Sequence, residues 1–109
     1  MDTVHNRRMN VRAEHDTERS RFVLYSDTEV AAVSEYFDVG DTRNFFHTVT
    51  LPQYRGRGYA AVLTEYALND TRSHELFVQP SCWFVREFIE TNADNFGDLL
   101  TSPGSPGER

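Results

Sequence analysis

The sequence predicts a single mixed α/β (α+β) domain: a mostly antiparallel sheet followed by a β-α-β-α half. Three observations predict it. Residues 21–51 hold apolar runs of strand length separated by turn residues. At residue 58 the apolar spacing changes from two to three and four, the period of a helix. A second short apolar run then precedes a second helical stripe. The 109 residues suit one domain, and no internal repeat or interdomain linker is visible.

The elements follow in order. Residues 1–10 read as a polar N-terminal extension, with only a short strand expected around residues 9–13. Phe22-Val23-Leu24-Tyr25 predicts a strand over 21–25, and Asp27-Thr28 predicts a hairpin turn into a second strand over 29–38. Strict alternation puts Ala31, Val33, Glu35 and Phe37 on one face of that strand and Val30, Ala32, Ser34 and Tyr36 on the other. After the turn at Gly40-Asp41-Thr42, a third strand is expected over 44–51, with Phe45, His47, Val49 and Leu51 on one face and Phe46, Thr48 and Thr50 on the other. Residues 58–69 carry Tyr59, Ala60, Val62, Leu63, Tyr66 and Ala67 on one helical stripe. A short strand is expected over 75–79. A second helix follows, capped by Ser81, with the stripe Phe84, Val85, Phe88 and Ile89. The ordered domain is expected over 11–100, and 101–109 (Thr-Ser-Pro-Gly-Ser-Pro-Gly-Glu-Arg) reads as a disordered tail.

Composition excludes several chemistries. The chain has no lysine, so Schiff-base and P-loop lysines are ruled out. Its one cysteine, Cys82, forms neither an internal disulfide nor a Cys-rich zinc site. None of His5, His15 and His74 has a partner at ligand-like spacing beside a third ligand, so no metal site is expected. The net charge of −6 argues against a nucleic-acid clamp. No stretch has the length of a membrane span and no secretory apolar segment opens the chain, so a cytoplasmic protein without a membrane partner is expected.

The junction Leu51-Pro52-Gln53-Tyr54-Arg55-Gly56-Arg57-Gly58-Tyr59-Ala60 carries the chemistry. Small residues let a ligand approach the backbone, and a helix N-terminus offers unpaired N–H groups and a positive dipole end. The pattern fits a phosphate site; it fits equally a Gly-rich turn with two solvated arginines. The Gly-x-Gly-x-x-Gly dinucleotide pattern is incomplete here.

Arg55-x-x-Gly58-x-Ala60, after a strand and opening a helix, resembles the (Gln/Arg)-x-x-Gly-x-(Gly/Ala) loop of the GNAT superfamily of N-acetyltransferases. His47-Thr48 upstream and Val78-Gln79-Pro80-Ser81-Cys82-Trp83-Phe84 downstream narrow the resemblance to the small, single-domain YjdJ-type branch. It covers about 11–100. Two departures stand out: Val49 where the branch has Glu after His-Thr, and Asn92-Ala93-Asp94-Asn95 in place of its His-Pro-Glu-Tyr.

The resemblance implies a compact GNAT-like fold and an acetyl-CoA-dependent transfer to an amine. The pyrophosphate would be held by main-chain N–H groups over 55–60, from Arg55, Gly56, Arg57, Gly58, Tyr59 and Ala60, and a main-chain N–H near Val49 would polarise the thioester carbonyl. Of the residues themselves, His47 is the first candidate base, since imidazole titrates near neutrality, and Glu35 the second. Either is equally read as an ordinary strand residue. Cys82 would take the acetyl group, protonate the leaving sulfur, or only pack. A non-catalytic coenzyme A-binding or acyl-sensing module is the alternative function. The acceptor is open between a protein lysine and a small polyamine, and the assembly between monomer and homodimer.

Overall fold

The computed structural model describes residues 3–6 and 10–100. Strands β1 (Thr3–Asn6), β2 (Val11–Asp16), β3 (Arg21–Ser26), β4 (Glu29–Val39), β5 (Thr42–Thr50) and β6 (Phe77–Pro80) form one sheet in that spatial order. The first five pair antiparallel in succession, and β6 joins β5 in parallel. Helix α1 (Tyr59–Ser73) makes the β5-to-β6 crossover, and α2 (Trp83–Thr91) and α3 (Ala93–Phe96) follow. The mixed class and the β-α-β-α half are as the hydrophobic pattern predicts.

All three helices lie on one face of the sheet. Leu63 and Ala67 of α1, Val85 and Ile89 of α2 and Phe96 of α3 join Phe22, Leu24, Tyr36 and Phe45 in one buried cluster. Arg72 ties α3 to α1 by donating to the Asn95 carbonyl at 2.6 Å. Among the described residues no helix packs on the other face, which carries Arg12, Glu14, Val33, Glu35 and Phe37 by alternation. No helix among them is long and apolar enough to cross a membrane.

Several elements differ from the expectation, each for a physical reason. Thr3–Asn6, inside the segment read as a polar extension, pairs with β2; an edge strand is held by main-chain hydrogen bonds and needs no apolar pattern. The strand expected around 9–13 runs instead over Val11–Asp16. Helix α1 continues past residue 69 because its polar end is used: Thr71 is buried and donates to the Ala67 carbonyl at 2.8 Å. Glu75 sits at φ +60°, a left-handed conformation that keeps it out of the strand, so β6 starts at Phe77. Cys82, not Ser81, is the N-cap of α2, and no side chain caps that helix. The predicted tail over 101–109 lies outside the described residues.

Beneath α1 a polar network fills the core. Arg43, 5% exposed, donates to both Asp38 carboxylate oxygens at 2.8 and 3.0 Å. Its Nη1 lies 3.6 Å from Asp70 Oδ2. His15 bridges Asp70 at 3.3 Å and the Tyr36 hydroxyl at 2.6 Å, and its ring stacks on Phe22. Burial pushes the Tyr36 hydroxyl above its ordinary range, against the opposing pull of Arg43. The network joins β2, β4, β5 and the last turns of α1, so it fixes that helix against the sheet.

Breaking a buried pair leaves an uncompensated charge. Arg43→Ala is expected to cost about 3–5 kcal/mol in urea unfolding. Arg12→Ala, which removes a partly exposed pair with Glu14, should cost no more than about 1 kcal/mol. Equal losses would show that the network does not hold the helix.

Candidate active site

The loop after β5 is built from its tyrosine outward. Pro52–Tyr54 forms a single 3-10 turn, and the Tyr54 ring is buried beside Tyr59 with centroids 6.1 Å apart. Its hydroxyl donates to the Glu29 carboxylate, which pins the loop to the start of β4. That bond, with burial second, raises the Tyr54 hydroxyl above its usual range. Arg55 Nε donates to the Thr50 carbonyl at 3.1 Å. Arg57 lies 5.5 Å from the Tyr54 ring.

Gly56 and Gly58 take φ +83° and +78°, conformations that cost little only for glycine. A Cβ at either would meet no atom within 4 Å, so the space above both is open. Gly58 is the N-cap of α1, and no side chain caps the helix. Its first turn holds no acidic residue. The earliest α1 hydrogen bond runs from the Val62 N–H to the Gly58 carbonyl, which leaves the N–H groups of Tyr59, Ala60 and Ala61 without helical partners. Of the predicted residues, Gly56, Arg57, Gly58, Tyr59 and Ala60 lie at this bare, positively polarised helix end, which fits the pyrophosphate of coenzyme A, whereas the Arg55 N–H is committed to the Pro52 carbonyl at 3.3 Å.

Next to this end the sheet splits. β5 pairs with β6 only up to Phe45 opposite Pro80, and the Cys82 N–H then closes on the Phe45 carbonyl at 2.9 Å. Residues 46–50 of β5 continue with no strand on that edge. Leu51 donates to the Ala31 carbonyl at 2.9 Å, so the alternating main chain turns Leu51 and Val49 toward β4 and turns Thr50 and Thr48 toward the split. This corrects an atom of the expectation. The amides near Val49 that face the split belong to Thr48 and Thr50, while Val49's own amide faces β4.

A bulge decides where the side chains go. From the hairpin turn, Phe37 lies opposite Asn44 and Tyr36 opposite Phe45; an unbroken register would set His47 opposite Ser34. The register shifts between Tyr36 and Glu35, Phe46 is skipped, and His47 lies opposite Glu35. Phe45 therefore faces the core with Tyr36, while His47 leaves for the open face. The expected common face for Phe45 and His47 fails for this reason. A second shift, between Leu24 and Tyr25, skips Ala31 and buries it beside Ala32.

His47 Nδ1 is 3.0 Å from Glu35 Oε1. An ionised carboxylate only accepts, so Nδ1–H donates to Glu35 and Nε2 is the ring nitrogen left outward. Two residues read separately as candidate bases thus form one dyad. Cys82 stands on the opposite, helix-bearing face: it is 7% exposed, with Sγ 3.5 Å from Thr48 Oγ1. The structure joins His47 to Glu35 and Cys82 to Thr48, and does not join His47 to Cys82. The sequence reading missed Thr48 as a contact of Cys82 and Phe46 as the bulge. Trp83 is exposed, whereas Phe84 packs against the core. No group of three or more His, Cys, Asp or Glu among the described residues is placed to hold a metal ion.

The chain is similar to known proteins. Residues 21–99 match the family model described as GCN5-related N-acetyl-transferase. Protein NATD1 of Bos taurus is 33% identical over 84 residues, covering 75% of this chain and 74% of its own. Protein NATD1 of Homo sapiens is 32% identical over 84 residues, with the same shares of 75% and 74%. Among solved structures, the ribosomal-protein-S18-alanine N-acetyltransferase from Escherichia coli matches with a TM-score of 0.59 at 19% identity, covering 72% of this chain and 54% of that one. The chain spans about half of that structure's length, and the likeness is one of fold. The chain belongs to the GCN5-related N-acetyltransferase family.

Proposed function

We propose that this protein is an acetyl-CoA-dependent N-acetyltransferase that moves the acetyl group directly to a primary amine. The observation that carries the reading is the bare N-terminus of α1, reached through Gly56 and Gly58, beside the open edge of β5. Acetyl-CoA supplies an activated thioester. Residues 56–60 hold its pyrophosphate through main-chain N–H groups, and Arg55 and Arg57 add the charge that a lysine-free chain provides only through guanidinium groups. The Thr48 and Thr50 amides face the place where a carbonyl would be polarised. Glu35 holds the His47 ring, and His47 Nε2 takes the proton of the attacking amine. Cys82, across the strand with its Sγ 3.5 Å from Thr48 Oγ1, is the side chain that would meet the leaving sulfur.

A second reading has one observation behind it. Val49 stands where the branch this chain resembles carries Glu, so a coenzyme A-binding module without catalysis would also use the loop. Turnover separates the two.

Isothermal titration should show saturable acetyl-CoA binding, weakened at least about tenfold by Gly58→Val, which strains the N-cap and covers the helix end. Absence of binding to the wild-type chain overturns both readings. His47→Gln should lower kcat by about a hundredfold, the usual contribution of a general base, with acetyl-CoA affinity unchanged; an unchanged kcat removes His47 from the chemistry. Direct transfer also predicts that intact protein incubated with acetyl-CoA alone carries no acetyl group on Cys82. With no lysine in the chain, a retained label has only Cys82 or the α-amino group as its amine or thiol site. Peptide mapping that finds a kinetically competent acetyl-Cys82 replaces direct transfer with a covalent route.

A further inference from the structure

The open face of the sheet carries a patch that the proposed transfer leaves unused. Phe37 and Phe46 are each 47% exposed, with ring centroids 5.8 Å apart. Phe37 follows Glu35 by one alternation on β4, and Phe46 is the bulge residue directly before His47. The rings therefore border the dyad that would take the proton.

Among the described residues, the arginines of the same face turn to other acids than Glu35. Arg12 pairs with Glu14 at 3.0 Å. Arg21, directly opposite Glu35 across β3 and β4, turns its Nε to Asp16 at 3.2 Å. Desolvation pushes the Asp16 carboxyl up, but the hydrogen bonds from Arg21 and Arg19 outweigh it and hold that carboxyl below its ordinary range. Glu35 faces His47, whose Nδ1 lies 3.0 Å from its Oε1. An acidic side chain bordered by two half-exposed aromatic rings attracts an ammonium group borne on an apolar stem. A second carboxylate on the acceptor would be repelled by Glu35, and a short polar amine would leave the rings in water.

We infer that the acceptor is a primary alkylammonium on an extended apolar stem, its stem over Phe37 and Phe46 and its head at Glu35 and His47. A lysine side chain and a free aliphatic amine or diamine both have this chemistry. The α-amino group of a peptide does not, because its nitrogen sits on the backbone without a stem. The inference rests on the transferase reading above.

The test measures acetylation of an amine panel by the wild-type chain, after titration has established that it binds acetyl-CoA. The panel holds ethylamine, pentylamine, cadaverine, 6-aminohexanoate, a peptide whose one amine is a lysine side chain, and a peptide whose one amine is its N-terminus. The expected result is a kcat/KM for pentylamine at least tenfold above ethylamine, with 6-aminohexanoate and the N-terminal peptide poor. Cadaverine against the lysine peptide distinguishes a free amine from a protein side chain. Phe37→Ser, at an exposed position, should erase the pentylamine advantage through KM while acetyl-CoA affinity stays unchanged. Preference for the N-terminal peptide or 6-aminohexanoate overturns the inference while the transferase reading stands. So does an advantage indifferent to Phe37→Ser, or acetylation of ethylamine or the N-terminal peptide with every stemmed amine inert. Failure to bind acetyl-CoA falsifies the transferase reading itself.

Discussion

The end of β5–β6 pairing at Phe45 and Pro80 is the constraint on which the rest depends. Proline brings no N–H to a ladder, and the chain turns after it, with the Ser81 N–H bonded to the Gln79 carbonyl at 3.1 Å. Cys82 then spends its N–H on Phe45 and starts α2. The parallel pair therefore cannot extend, although β5 runs on to Thr50. Main-chain groups along that stretch need other partners, and a bare edge beside a bare helix end gives a ligand hydrogen-bonding groups of two kinds. The site follows from where one short strand stops.

Such an opening persists only if the elements around it are held elsewhere. Arg43 and Asp70 do this at the far end of β5 and α1, with Asp38, His15 and Tyr36 completing the network. At the near end Tyr54 anchors the loop to Glu29. α1 is thus fixed by polar contacts at its last turns and by its loop at the first. The N–H groups of its first turn point from a rigid support, which is the arrangement that binds an anion without reordering the chain.

Much of this was legible in the sequence, and the limits of legibility are physical. Period alone separates β4 and β5 from α1, because a stripe of Tyr59, Leu63 and Ala67 fits only a helix. The loop was legible because Gly56 and Gly58 sit where a strand meets that stripe. β1 was not, since its pairing is made by main chain and its residues are polar. The polar end of α1 was not, because Asp70 and Thr71 look like a solvated turn until His15 and Arg43 are brought over them. Glu35 and His47 were each visible as candidates, but their union depends on a register that alternation cannot supply.

That register turns on Phe46. Suppose the hairpin ran without a bulge. The parity of β5 beyond residue 46 would then reverse: His47 would face the helices opposite Ser34, and Val49, not Thr48 and Thr50, would offer its amide to the split. Thr48 would leave Cys82 for the open face. One inserted residue therefore sets four things together: the dyad on the open face, the hydroxyl beside the thiol, the amides at the split, and an aromatic ring held out beside His47. Bulges bend and twist a strand as well as shifting its register, and this one lies directly after the last β5 residue that β6 can pair. The split and the bulge are accordingly adjacent parts of one local solution. It is carried by a half-exposed phenylalanine, which an alternating pattern of strand residues would assign to the same face as Thr48 and Thr50.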